Sequence, residues 1–205
     1  MTRRAKPSGR PARGAPLRTE TDLRRKPSGS RPERRSYLIV CEGETEKLYF
    51  IGMRRHGGPQ LTVKAPGDDH LALVRKAAAS FHEVEYDEVW CVLDTELDDK
   101  LVAQLVAEAD RMSVNLALSC PSFELWLILH LTDHRRFFQS AREAEKLLKE
   151  LRPGWTKTAT RFKDFEEGVE DACARARNLH SDECPRNPSS GVWRLVEKLR
   201  VPPSQ

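Results

Sequence analysis

The sequence predicts a doubly wound α/β protein, with a mainly parallel four-stranded sheet, helices on both faces and a C-terminal helical extension. Two continuous apolar runs, Tyr37-Leu38-Ile39-Val40-Cys41 and Val89-Trp90-Cys91-Val92-Leu93, stop abruptly at carboxylates. The first meets Glu42-Gly43-Glu44-Thr45-Glu46 and the second Asp94-Thr95-Glu96-Leu97-Asp98-Asp99. Apolar runs without alternation read as strands buried on both faces of a parallel sheet. Strand and helix patterns then follow one another through four βα units, the signature of a doubly wound sheet.

The first strand is Tyr37–Cys41. A helix follows from about Glu44 to Arg55, with Leu48 and Ile51 on one face and Tyr49 and Met53 beside them. Gly52 weakens this helix, and His56-Gly57-Gly58-Pro59 stops it. A short strand spans about Leu61–Ala65. Pro66-Gly67-Asp68-Asp69 then caps a helix running to about His82. The third strand is Glu88–Leu93 and the next helix about Leu97–Met112. The fourth strand, Val114–Leu118, ends at Ser119-Cys120-Pro121-Ser122, where Pro121 suits the first turn of a helix reaching about Leu131. Beyond Thr132 only helical segments are expected, at about Ala141–Leu151, Phe165–Leu179 and Ser190–Leu199. The loop Pro153-Gly154-Trp155-Thr156-Lys157-Thr158 separates the first two. The expected organisation is therefore a tail over 1–35, an α/β domain over 36–132, and a helical extension over 133–205 packing on that domain.

Charge divides the chain. Residues 1–35 hold 12 of the 35 Lys and Arg and 3 of the 31 Asp and Glu, a net of +9, while the remainder carries −5. The tail is rich in Arg, Lys, Pro, Ser and Gly and poor in apolar residues, so it is expected to be disordered. It fits either a polyanion partner or a solvated tail. The five cysteines, Cys41, Cys91, Cys120, Cys173 and Cys184, are odd in number and form no CxxC, which points to a reducing cytoplasm, not a disulfide framework or zinc site. No apolar run of about 18 residues predicts a membrane span, and no apolar core follows the basic N-terminus as in a secretory signal. No Gly-x-x-x-x-Gly-Lys-Ser/Thr loop predicts a P-loop ATPase.

The chemistry is expected at the carboxyl ends of the strands, where open α/β sheets bind ligands. Carboxylates delivered there by two parallel strands build a hard, oxygen-rich pocket of the kind Mg²⁺ prefers. Glu42 ends the first strand beside Gly43, a residue that lets the backbone turn sharply and approach a ligand. Glu42 and Glu46, at i and i+4, share a face if the helix starts early. Glu44 and Glu46 also suit a helix N-terminus. Asp94 ends the third strand with Glu96 two residues on, and Asp98 and Asp99 fit helix capping. Glu124 follows the fourth strand and either adds a carboxylate or complements a helix dipole. His130 reads as a helix C-terminal residue, where a cation is favoured. Lys157, Arg161 and Lys163 follow the Pro-Gly-Trp turn and suit either a scissile phosphate or a solvated loop.

A buried strand ending in Glu-Gly, a crossover, and a strand ending in Asp-x-acid resemble the Toprim fold of topoisomerases, primases and OLD-type nucleases. A wider set of motifs resembles the RloB-like family over about residues 35–200. The set is Tyr37 to Glu46 with Tyr49-Phe50, then Val89 to Asp94, then Pro121-Ser122-Phe123-Glu124-Leu125-Trp126-Leu127, then Asn187-Pro188-Ser189-Ser190 with Leu195-Val196. The resemblance implies a bacterial or archaeal protein encoded beside an ABC- or SMC-type ATPase in phage-defence loci, akin to the Toprim nuclease half of two-component abortive-infection systems. It makes Glu42 the acid/base glutamate and Asp94 the first metal-binding aspartate. Position 96 departs from the usual Asp-x-Asp, so the second ligand is Glu96 or Asp98.

The expected activity is a Mg²⁺- or Mn²⁺-dependent cytoplasmic nuclease acting on DNA or RNA, tRNA included. Asp94 and Glu96 hold metal, and Glu46, Asp98 and Glu124 are further candidates. Glu42 is the general base or acid, its pKa raised by its carboxylate neighbours. Lys157 supports the chemistry, and Arg161 and Lys163 contact nucleic acid. The rival expectations are a non-catalytic metal-binding module that regulates the ATPase, and a helical adaptor for which the sheet is only a scaffold.

Overall fold

The computed structural model describes residues 34–83, 85–179 and 186–201. Most of the basic tail, and Cys184, lie outside the described residues. The described residues form five strands: β1 (Ser36–Cys41), β2 (Gln60–Lys64), β3 (Glu88–Asp94), β4 (Asn115–Cys120) and β5 (Ser189–Ser190). Seven α-helices accompany them: α1 (Glu44–Gly52), α2 (His70–Glu83), α3 (Asp99–Met112), α4 (Glu124–Leu131), α5 (Ala141–Leu151), α6 (Val169–Leu179) and α7 (Val192–Arg200). The sheet order is β2-β1-β3-β4-β5, with the first four strands parallel and β5 antiparallel to β4.

The continuous apolar runs are explained by burial on both faces. Along β1, Tyr37, Ile39 and Cys41 enter one core while Leu38 and Val40 enter the other. In β3, Trp90 and Val92 face the first core and Val89, Cys91 and Leu93 the second. The second core is closed by Leu73, Val74 and Ala77 of α2 and by Val102, Leu105 and Ala109 of α3. The first is larger and takes α1, α4, α5, α6 and α7. Helix α4 is apolar nearly all round because it is buried all round; Leu125 through Leu129 have no exposed surface. The helices after Thr132 complete this core, α5 through Ala144 and Leu148, and α7 through Val192, Leu195, Val196 and Leu199.

Several expectations need correction. The sheet has five strands, not four: β5 is two serines long, too short and too polar to leave a periodic signal, and pairs Ser190 with Ser119 and Ser189 with Cys120. Helix α1 ends at Gly52, not Arg55, and buries Thr45, Glu46, Tyr49 and Phe50 instead of the Leu48/Ile51 face. Gly52 is there because Phe162 packs on it; a Cβ would lie 2.6 Å from Phe162 Cβ. Pro121 is not a first-turn residue: the Cys120–Pro121 bond is cis and α4 begins at Glu124. Helix α3 begins at Asp99, and the expected 165–179 helix is a 3-10 turn, Glu166–Gly168, followed by α6.

His130 lies in the last turn of α4, as expected, but it is not a cation there. It is buried, and burial pushes its pKa down to about 4. Its Nδ1 lies 2.8 Å from the Trp126 carbonyl, which can only accept, so Nδ1 carries the proton and the Tyr49 hydroxyl donates to Nε2 at 3.1 Å. The described cysteines, Cys41, Cys91, Cys120 and Cys173, are buried and none of them is in a disulfide. No helix among the described residues is long and apolar enough to cross a membrane.

Candidate functional site

The sheet order reverses direction between β1 and β3: the chain leaves β1 outward to β2, then returns past β1 to β3 and β4. The connections on either side of such a reversal diverge and open a crevice beyond the carboxyl ends of the two strands. Glu42 directly follows β1, and Asp94 is the last residue of β3. The two acids are joined there, Glu42 Oε2 accepting the Asp94 N–H at 3.0 Å. Asp94 Oδ1 in turn accepts the Phe123 N–H ahead of α4, at 2.9 Å.

Two further acids reach the crevice. Glu46 comes from the first turn of α1 and Glu124 from that of α4; they are only 5% and 3% exposed. Glu124 Oε2 accepts from Ser122 Oγ at 2.6 Å, and its Oε1 pairs with Lys157 Nζ at 3.1 Å. Lys157 also lies 3.4 Å from Glu145 Oε2 of α5. Its loop is tied to α1 by Thr45 Oγ1, which donates to the Lys157 carbonyl at 3.3 Å. Glu42 has a second neighbour, His70 at the start of α2, whose Nε2 lies 3.0 Å from Glu42 Oε2. The pair is close without hydrogen-bond alignment, since Nε2 has no aligned acceptor.

The electrostatics divide these acids. Burial pushes the Asp94 carboxyl well above its usual range, and the nearby Glu46, Glu42 and Glu124 push it further. Burial raises Glu46 to about 7, helped by Glu42 and Glu124 and opposed by Lys157. Glu42 behaves differently from the expectation of a raised pKa. Burial pushes it up, but His70 and the Asp94 amide outweigh that and hold it below its ordinary value. His70 is raised chiefly by Glu42, with Glu96 and Asp69 adding to the effect. Lys157 loses by burial and gains more from Glu124 and Glu145, ending above its ordinary value.

Of the residues singled out from the sequence, Glu42, Glu46, Asp94, Glu124 and Lys157 thus converge on one edge. Glu96 is exposed, on a tight turn just after Asp94. Its φ is 47° and that of Leu97 is 66°, left-handed values that cost a non-glycine residue about 1–2 kcal/mol each. The turn is held by Glu96 N–H to the Pro121 carbonyl at 3.2 Å and Asp98 N–H to the Thr95 carbonyl at 2.8 Å. Asp98 caps α3, accepting from Leu101 N–H at 3.0 Å. Arg161 is engaged with Asp164 at 3.0 Å, and Lys163 is exposed beside it on the 3-10 turn Phe162–Asp164. Gly43 has φ −130° and ψ −175°, extended backbone open to any residue, so its small size serves another purpose. A Cβ there would meet Glu46 Oε2 at 3.1 Å. His70 and Glu145 were not singled out from the sequence. The one signal for His70 is its place after β2, whose loop opens beside β1; Glu145 carries none.

A family model described as RloB-like protein matches residues 37–199. The chain belongs to the RloB-like family. No curated protein and no solved structure matches it. The matched span takes in the crevice residues from Glu42 to Lys157.

A divalent cation fits this donor set in chemistry. The donors are hard carboxylate oxygens, and Asp94 and Glu46 hold their protons abnormally strongly because they are buried and have other acids beside them. Among the described residues, no group of three or more His, Cys, Asp or Glu side chains is arranged to hold a metal as it stands. The acids are engaged with amides, Ser122 and Lys157, so side chains must reorient for a cation to enter.

Proposed function

We propose that the chain is a Mg²⁺- or Mn²⁺-dependent nuclease with a Toprim-like active site in the β1/β3 crevice. It hydrolyses phosphodiester bonds of DNA or RNA, tRNA included, as the effector of an anti-phage abortive-infection system with an ABC- or SMC-type ATPase. The observation that carries this reading is the convergence of Glu42, Glu46, Asp94 and Glu124 with Lys157 at a topological switch point. Asp94, Glu46 and Glu124 would hold the cation, with Glu96 as the exposed alternative, and the bound cation supplies Lewis-acid polarisation of the phosphate.

The remaining steps belong to the chain's own residues. Glu42, held low by His70 and the Asp94 amide, is ionised at neutral pH and takes the proton from the attacking water. His70 keeps Glu42 ionised and fixes its position. Water oxygen bonds to phosphorus as the P–O bond to the leaving group breaks, and the leaving oxygen takes a proton from solvent. Lys157, anchored by Glu124 and Glu145, faces the charge that accumulates on the phosphoryl oxygens.

Wild type and Glu42→Gln, each co-expressed with the neighbouring ATPase where one is encoded, provide the test, with the cell's DNA and RNA ends sequenced after induction. New ends are expected in wild type, and a loss of about 10²- to 10⁴-fold in the variant. Equal cutting by Glu42→Gln sinks the assignment. A second reading, a non-catalytic module regulating the ATPase, is favoured by the occupation of Glu124 by Lys157 and Ser122. It predicts no new ends while both proteins still bind the partner.

A further inference from the structure

The segment between α4 and α5 projects Phe137, 62% of whose surface is exposed. A lone exposed ring is ordinary on a protein surface. This one differs in being rigidly presented. Asn187 Oδ1 accepts the Phe138 N–H at 3.1 Å, and Asn187 Nδ2 donates to the Phe138 carbonyl at 2.6 Å. The buried Phe138 ring stacks on His134, with centroids 4.4 Å apart and planes 16° from parallel. His134 Nε2 donates to the Arg136 carbonyl at 2.9 Å. The backbone on both sides of Phe137 is therefore pinned while its ring points to solvent.

The ring also has cations beside it. Arg135 and Arg136 are both exposed; Arg135 pairs with the exposed Asp133 at 2.9 Å, and Arg136 forms no ion pair among the described residues. Its position is set by the sheet. Because β5 is antiparallel to β4, with Ser190 opposite Ser119 and Ser189 opposite Cys120, the chain upstream of Ser189 passes beyond the carboxyl end of β4. Asn187 lies there, and it holds Phe138. Asp94 pairs with Ser119 in the same register. The pinned loop thus stands at the same sheet edge as the acidic crevice.

We propose that Phe137, with Arg135 and Arg136, is a platform for single-stranded nucleic acid, one base stacking on the ring and the flanking phosphates meeting the guanidiniums. The inference rests on reading the crevice as a nucleic-acid site. An acidic crevice repels phosphates, so affinity must come from elsewhere on that edge. An exposed aromatic face with two cations next to it in the chain suits a base and its flanking phosphates, and every base offers a π face. A duplex keeps its bases stacked inside and offers none to the ring.

The test is binding of the full chain to fluorescent oligo(U), oligo(dT) and a duplex, read by anisotropy in EDTA over a salt series. Phe137→Ala is expected to weaken single-strand binding about 5- to 100-fold, leaving the salt dependence unchanged, while Phe137→Tyr restores it. Arg135→Ala/Arg136→Ala is expected to lower the salt slope by about 1 to 2. The two single strands report whether RNA or DNA is preferred. Equal binding by Phe137→Ala and wild type overturns the proposal, as does an equal loss on single strand and duplex. Loss of a bound protein partner with oligonucleotide binding intact also overturns it. Thermal unfolding of each variant separates these results from misfolding. Because EDTA removes cleavage from the readout, Phe137-dependent binding without nuclease activity leaves this inference standing while the nuclease reading falls.

Discussion

Carboxylates in two regions of this molecule, Glu108 on the surface and Glu46 and Asp94 in the crevice, are driven in opposite directions. On the flank of α2 and α3, Glu108 lies between Arg111 and Arg75, 3.0 and 2.7 Å away, and the guanidiniums pull its carboxyl down to about 2. In the crevice, burial and neighbouring acids push Glu46 up to about 7 against the pull of Lys157, and raise Asp94 against the hydrogen bond from the Phe123 amide. The surface cluster is balanced by its own cations. The crevice gathers more negative charge than the fold neutralises, a cost against stability of the kind met at functional sites.

The largest test of this contrast is the pH dependence of stability. Unfolded, Glu46 loses its proton near 4.5; folded, it keeps it to about 7. Between those values the folded state binds more protons, so stability falls as pH rises through the window and levels above it. The full shift corresponds to a loss on the order of 3 kcal/mol. Asp94 contributes with the same sign, and so does His70, whose raised pKa gives stability that is lost as pH rises through it. Glu42 acts oppositely and elsewhere: its lowered pKa gives stability lost only as pH falls below its ordinary range. In EDTA, urea unfolding should show Glu46→Gln more stable than wild type at pH 8 and close to it at pH 5. Glu108→Gln should cost a little stability equally at both. Wild-type stability that is flat between pH 5 and 7 would break the contrast.

A smaller effect is expected from Mg²⁺. A cation that relieves the crowded charge stabilises the folded chain by about 1.4 kcal/mol at ten times its dissociation constant. The gain should be larger at pH 8 than at pH 5, because protons on Asp94 and Glu46 compete with the metal. Asp94→Asn should abolish it, and Glu108→Gln should leave it intact. Thermal unfolding with and without Mg²⁺ decides; no stabilisation of wild type at pH 8 removes the metal from the crevice.

The parts of this arrangement legible in the sequence are those that local chemistry dictates. Burial on both faces writes β1 and β3 as unbroken apolar runs, and the carboxylates at their ends stand out for that reason. The 3.6-residue repeat places Ala141–Leu151 to the residue. What stays hidden depends on distant packing. His70 meets Glu42 only because β2 lies beside β1, and Glu145 meets Lys157 only because α5 returns to the crevice. β5 is defined by its neighbour β4 and not by its two serines. His130 looked like a helix-terminal cation because nothing local announces that it is sealed under Tyr49 and Trp126.

Gly43 provides the finest test, since sequence and structure give it different reasons to be glycine. Read locally, it supplies backbone freedom after a strand. Its φ of −130° needs no such freedom, whereas Glu46 Oε2 fills the space a Cβ would take, at 3.1 Å. Gly43→Ala should therefore change stability by no more than about 1 kcal/mol, the contact being partly offset by reduced freedom of the unfolded chain. The carboxylate of Glu46 must still move by a few tenths of an ångström. The Mg²⁺ concentration needed to stabilise the variant should rise several-fold while its fold persists, as thermal unfolding across a Mg²⁺ titration would show. Gross unfolding instead would return the reason for Gly43 to the backbone, and an unchanged Mg²⁺ midpoint would mean that the position of Glu46 is not set from this side of the crevice.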